Sequence, residues 1–267
     1  MTAPNTMKPA QLARLIGKPD APALVDICID EDFAQNPRLI PTSFHHPFKQ
    51  IEELLPNLQE RKTVVICQKD NKLSQWAMAL LRIQGVDAAV LEDGIFGWRD
   101  FDGALLSSDR LPARGGLWVT RHRPKVDCIA CPWLIRGFID PDASFLFMAP
   151  SEVLEVAEKF NATPFDVEGA ELSHNNNYSF DAMLAGFGLD HPALRAMAAV
   201  ICAADGTPQA RVPEAAGLLA ISLGLSRMYR DDLEQLEAAI PLYDALYRWA
   251  RDAQGETNDW AAHGGTA

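Results

Sequence analysis

The chain lacks any apolar run near the roughly 18 residues that a membrane-spanning helix needs, so no span is expected. Its opening residues hold no basic stretch followed by a continuous apolar core, which sets aside a secretory signal peptide. Cysteine is scarce: five among 267 residues, at 28, 67, 128, 131 and 202. An odd, scattered set argues against a disulfide scaffold and fits a reducing cytoplasm. Positive charge is also short. There are 24 basic residues against 36 acidic ones, a net charge of −12. Such a chain is repelled by nucleic acid unless its basic groups cluster, and no basic recognition helix supplies that cluster. Internal repeats and low-complexity blocks are absent. What is present in ordinary amount is apolar residues, 48% of the chain, enough for a core.

At this length one large domain or two ordinary ones are expected. The charge divides unevenly. Residues 1–112 carry 12 basic and 15 acidic groups, or −3, and residues 113–267 carry 12 and 21, or −9. The change coincides with a turn-rich stretch from Ser107 to Gly116, so the expected domains are 1–112 and 113–267.

In the first half, strand-like runs alternate with helical ones. Ala23 to Ile27, Thr63 to Ile66 and Ala88 to Leu91 are apolar and of strand length. Pro9 to Ile16, Phe48 to Leu55 and the segment from Leu73 read as helices. This alternation predicts a small parallel α/β sheet. His45 and His46 are adjacent, point in different directions and read as a loop feature. Sites in open α/β sheets lie at the carboxyl ends of strands, and Cys67 falls at such an end. A polar loop, Gln68 to Lys72, follows it, then a helix with Gly85 as its C-cap. Loop N–H groups and the positive helix end favour the thiolate, and Lys69 and Lys72 add positive charge. Two readings stand: a reactive cysteine, or a buried thiol packed as a small hydrophobe.

Leu24-Val-Asp26, Val64-Val-Ile-Cys67 with its loop and helix, and Val90-Leu-Glu-Asp-Gly94 followed by Trp98 resemble the rhodanese-like, single-domain sulfurtransferases. The resemblance covers about a hundred residues in order. It implies that Cys67 attacks a sulfane sulfur and carries it as a persulfide to a thiol acceptor. Gln68, Lys69, Asp70, Asn71 and Lys72 would hold a small anionic donor. The chain departs from the pattern in three places. Asp70 and Asn71 occupy mid-loop where glycine is usual. Leu73 stands in place of a serine. Cys28 stands where an arginine follows the early aspartate by two positions. Asp70 puts negative charge beside the thiol, which opposes its ionisation.

The second half opens on a strand, Trp118 to Thr120, leading into a basic cluster of Arg121, Arg123 and Lys125. Cys128 and Cys131 form a C-x-x-C spacing. It reads as redox-active, as half of a zinc site, or as two semi-buried thiols; no second C-x-x-C or close histidine pair completes a zinc site. Pro132 suits a first helical turn, a position that would lower the Cys131 pKa. Ser144 to Met148 reads as a strand. Ser151 to Phe160 reads as a helix with Ser151 as N-cap and Leu154 in the core. Beyond Phe180 the chain is helical, so this half is predicted to be a mostly helical α+β domain. Glu168 and His174 are oxygen and nitrogen ligand types on neighbouring loops and suit a divalent ion such as Mn, Fe or Zn. They read equally as a surface glutamate and a hydrogen-bonded histidine. Arg121, Arg123, Lys125 and Arg227 suit a tetrahedral oxyanion or salt bridges to nearby acids.

Arg121-x-Arg-Pro-Lys-Val-Asp127, Ile129-Ala-Cys-Pro-Trp-Leu-Ile, Phe165-Asp-Val-Glu168-Gly, Ser173-His174 and Ala216 to Met228 resemble the ChrB-like chromate resistance family. That resemblance implies a role in chromate or oxidative-stress tolerance. It leaves three functions in play: sulfur transfer through Cys67, a chromate-responsive regulator, and a metal-dependent enzyme centred on the second half.

Overall fold

The computed structural model describes residues 5–69, 71–173, 178–206 and 212–256. Chain order gives β1 (Thr6–Met7), α1 (Pro9–Ala13), β2 (Ala23–Asp26), α2 (Asp30–Gln35), β3 (Arg38–Leu39) and β4 (Phe44–His45). A 3-10 segment, Phe48–Leu54, runs into α3 (Leu55–Leu58). Then come β5 (Thr63–Ile66), α4 (Asn71–Ile83), β6 (Ala88–Leu91), α5 (Gly94–Asp100) and β7 (Leu106–Ser107).

Five of these strands form one parallel sheet in the order β1-β6-β5-β2-β4. β5 lies in the middle, and each of its four residues is fully buried. β-Branched residues covered on both faces produce such a continuous apolar run. Leu24, Val64 and Ile66 face one apolar cluster. Val25 and Val65 face another, closed by Ile51, Ala77 and Leu81. Helix α4 therefore docks through Ala77 and Leu81, while Trp76 is half exposed. Gly85 ends the α4 segment at φ +88°, as its predicted capping role requires.

The second half contains β8 (Leu117–Arg121), α6 (Val126–Leu134), a π-turn at Ile135–Ile139, β9 (Ser144–Met148), α7 (Val153–Phe160) and β10 (Thr163–Pro164). Helices α8 (Ser179–Phe187), α9 (Pro192–Asp205), α10 (Glu214–Met228) and α11 (Asp232–Asp252) follow. Its three strands are parallel in the order β10-β8-β9. Alternation along β8 sends Val119 toward α7 and Trp118 toward the helical side.

Three local expectations need correction. Helix α7 starts at Val153, with Val153 and Ala157 buried and Leu154 exposed; an i, i+4 pair sets its inner face. Ser151 lies in the turn before it and is not its N-cap. Pro132 sits inside α6 instead of in its first turn.

One apolar cluster crosses both halves. It joins Leu12, Ile16 and Ile40 to Trp133, Phe138 and Tyr247. Thr42, at φ +68°, donates its N–H to the Phe138 carbonyl at 3.0 Å. Gly17 packs so closely that a Cβ there would lie 2.6 Å from the Phe138 ring.

Candidate functional site

Cys67 is the first residue beyond the central strand. Its thiol is 3% exposed and donates to Ser74 Oγ at 3.2 Å. Ser74 is fully buried in the first turns of α4, so strand end and helix start converge on the sulfur. The Cys67 backbone is pinned from the other side. Its carbonyl accepts the Ile95 N–H at 2.8 Å, and the Gln68 carbonyl accepts the Phe96 N–H at 3.2 Å. Gly94 permits this contact: at φ +56°, an added Cβ would stand 1.9 Å from the Cys67 oxygen. Only glycine can hold that turn against the loop.

Of the loop residues named from sequence, Gln68 is half-buried, and Lys69 and Lys72 are exposed. Asn71 opens α4, while Asp70 lies outside the described residues. Ser74 escaped the sequence reading. The resemblance placed a serine one position earlier, and only the helix geometry shows that Ser74 turns inward beside Cys67 while Leu73 packs on the neighbouring cluster.

A second polar group sits at the adjacent strand ends. Asp26, 1% exposed, accepts the Cys28 N–H at 2.8 Å. His45 does not lie in a loop; it belongs to β4. Its Nδ1 is 3.5 Å from Asp26 and its Nε2 is 3.1 Å from Asp30. Phe33 stacks on the ring at 4.1 Å. The two carboxylates, Asp26 foremost, raise the His45 pKa. Burial, then Asp26, holds the Cys28 thiol far above the ordinary thiol range.

In the second half, Arg121, Asp127, Asp166, Glu168, Tyr178 and Asp205 line a cleft of about 1030 Å³. Asp127 is 2% exposed. It accepts the N–H groups of Ser179 and Phe180 at 2.7 and 3.0 Å, which caps α8. Burial, then Asp166, lifts its pKa to about 7, against the opposing pull of those two N–H bonds. Asp166 accepts from Arg121 Nε at 3.1 Å, Cys128 Sγ at 2.7 Å and Ser179 Oγ at 2.8 Å. The sequence reading missed Asp166; the cue was an aspartate directly after Phe165 in an apolar stretch.

Of the basic cluster, Arg121 alone lines this cleft among the described residues. Arg123, Lys125 and Arg227 are exposed, and the Arg123 N–H is bonded to Asp232 at 3.1 Å. Glu168 is exposed, and its expected partner His174 lies outside the described residues. Among the described residues no set of three or more His, Cys, Asp or Glu is arranged to hold a metal ion. The Asp127 and Asp166 oxygens accept from N–H, O–H and S–H donors. Cys131 is fully buried, and burial, then Asp127, raises its pKa well above the ordinary range. The expected lowering is overturned, because Cys131 lies within α6 and away from its positive end.

A parallel sheet with a cysteine at the end of its central strand defines a rhodanese-like domain in the first half, and residues 8–101 match that family. A rhodanese-like domain protein from Staphylococcus aureus is 21% identical, covering 35% of this chain and 90% of that one, with a TM-score of 0.32. Thiosulfate sulfurtransferase from Pseudomonas aeruginosa is 18% identical, covering 75% and 48%, with a TM-score of 0.34. The second half is more particular: residues 118–250 match the family described as ChrB, C-terminal domain. The chain is thus a rhodanese-like domain followed by a ChrB C-terminal domain. Protein ChrB of Cupriavidus metallidurans is 36% identical over 170 residues, 56% of this chain and 50% of that protein. The chain therefore spans about half the length of this curated relative.

Proposed function

We propose that this protein transfers sulfur through a persulfide on Cys67, in the service of chromate or oxidative-stress tolerance. The observation that carries the reading is the placement of Cys67: buried at the carboxyl end of the central strand, with its sulfur on Ser74 of the following helix. In the proposed step the Cys67 thiolate attacks the outer sulfur of a small anionic donor such as thiosulfate. The donor's sulfur–sulfur bond breaks, sulfite leaves, and the sulfane sulfur stays on Cys67. A thiol acceptor then takes it. Burial of Cys67 favours small donors over bulky ones. The link to chromate rests on the ChrB C-terminal domain that shares the chain.

The test is thiosulfate-dependent sulfur transfer to cyanide, with wild type compared to Cys67→Ser. A loss of at least a hundred-fold is expected. Equal rates for the two proteins would remove Cys67 from the chemistry.

A further inference from the structure

A cavity of about 220 Å³ opens on the seam between the two halves. Lys18, Thr42 and Arg61 line it from the first half, and Trp133, Arg136 and Asp244 from the second. It shares no residue with the cleft around Asp127. Three cations around one small space are unexpected in a chain of net charge −12, because like charges gathered together repel unless an anion offsets them. The nearby acids use little of their donor capacity. Arg136 Nη1 donates to Glu237 at 2.7 Å. Arg61 Nη1 stands 3.6 Å from Asp142, beyond hydrogen-bond reach. Each guanidinium carries five N–H donors, and most of these are uncommitted among the described residues. The Lys18 ammonium enters no ion pair with a described residue. Asp244, the carboxylate of this wall, accepts from Trp133 Nε1 at 2.8 Å. Thr42 adds an independent observation. It is 6% exposed, and its Oγ1 has no hydrogen-bond partner among the described residues. Buried hydroxyls are rarely left so, and an acceptor oxygen in the cavity would remove the cost.

We propose that this cavity binds a tetrahedral oxyanion group, phosphate or sulfate in kind. Arg61, Arg136 and Lys18 hold its charge, and the Thr42 hydroxyl donates to it. Guanidinium forks match the oxygens of such ions. The four donors come from four separate stretches of chain: Lys18 follows α1, Thr42 lies between β3 and β4, Arg61 follows α3, and Arg136 is in the π-turn after α6. Donors brought in from several segments suit a three-dimensional ion better than a flat carboxylate. The 220 Å³ equals about seven waters at roughly 30 Å³ each, room for the ion and a few further atoms. Trp133, Pro22 and Ile240 give those atoms an apolar wall. The group can therefore arrive as the free ion or as the head of a small ester. Bound there, it ties Lys18, Thr42 and Arg61 of one half to Arg136 of the other. The site is independent of the sulfur-transfer reading and is tested without it.

The experiment is isothermal titration of the full-length chain with sodium phosphate, sodium sulfate and phenyl phosphate, and with sodium acetate as the flat anion. One ionic strength, set with sodium chloride, is kept throughout so that general salt effects cancel. Wild type is expected to bind phosphate or sulfate saturably, one per chain, with a Kd below about 1 mM, and acetate at least ten-fold more weakly. Arg61→Gln and Arg136→Gln, both at half-buried positions, are each expected to weaken binding at least ten-fold. Thr42→Val, which keeps the size and the β-branch, is expected to weaken it three- to ten-fold. Melting of each variant without ligand checks its fold, and the two arginine variants decide if Thr42→Val does not fold. Phenyl phosphate bound more tightly than phosphate makes the ligand an ester seated on the apolar wall; equal or weaker binding makes it the free ion. Failure of wild type to bind phosphate, sulfate or phenyl phosphate saturably overturns the site, as does equal affinity in wild type and both arginine variants. Acetate bound as tightly as phosphate overturns the tetrahedral class. Loss of binding in Arg121→Gln, with Arg61→Gln unaffected, places the ion in the second-half cleft and also overturns the proposal.

Discussion

Ser74 is the residue on which the Cys67 environment turns. A hydrogen bond of this kind contributes about 0.5–1.5 kcal/mol net, and here it also fixes the direction of the thiol. Ser74→Ala is expected to lower kcat for thiosulfate-dependent transfer about two- to ten-fold, with the circular dichroism spectrum unchanged. A rate equal to wild type would show that the hydroxyl only fills space. Cys67 itself was legible from a strand, a polar loop and a helix in sequence. Ser74 was not, because a motif fixes order along the chain and cannot say which of two neighbouring residues turns inward. Cys28 was legible only as a departure. The C-x-x-C shows the opposite case: a spacing suggestive of redox chemistry ends as two buried thiols inside one helix.

At the scale of elements, α8 depends on Asp127, whose carboxyl holds its first two N–H groups. The raised pKa of about 7 means that the folded state binds this proton more tightly than the unfolded chain does. The stability it contributes is full below the unfolded carboxyl value near pH 4 and is lost as pH rises toward 7. Thermal melts of wild type are therefore expected to show stability falling across that window, by up to about 1.4 kcal/mol per pH unit for one proton. Asp127→Asn is expected to flatten this slope while keeping a capping oxygen. An unchanged slope in the variant would assign it to another group. The boundaries of most elements were readable from periodicity. The inner face of α7 was not, since Val153, Leu154 and Ala157 are all apolar. Only the neighbouring strand decides that Leu154 faces the cleft.

For the whole molecule, the decisive feature is the apolar cluster common to both halves. Phe138 is its clearest joint: 4% exposed, tilted against Trp133, edge-on to Tyr247 and packed on Gly17. Phe138→Ala is expected to cost about 3–5 kcal/mol. Because the contacts span the halves, calorimetry of wild type is expected to show one transition, and the variant a single one at lower temperature. Two resolved transitions in wild type would show that the halves unfold separately. The change of charge and the turns near residue 112 suggested two units in sequence. The seam between them was hidden, because Leu12, Ile16 and Ile40 look like ordinary core residues until their partners from the second half are seen.

That seam restricts how the protein can be dissected. Severed from its companion, the first half would offer Leu12, Ile16 and Ile40 to water as a sticky patch, and would tend to self-associate. Truncation therefore confounds chemistry with solubility. An inactive fragment says nothing about Cys67, whereas a point substitution in the intact chain does. The same joint gives selection a reason to treat the two halves as one heritable unit, since a change at Phe138 or Gly17 is felt on both sides.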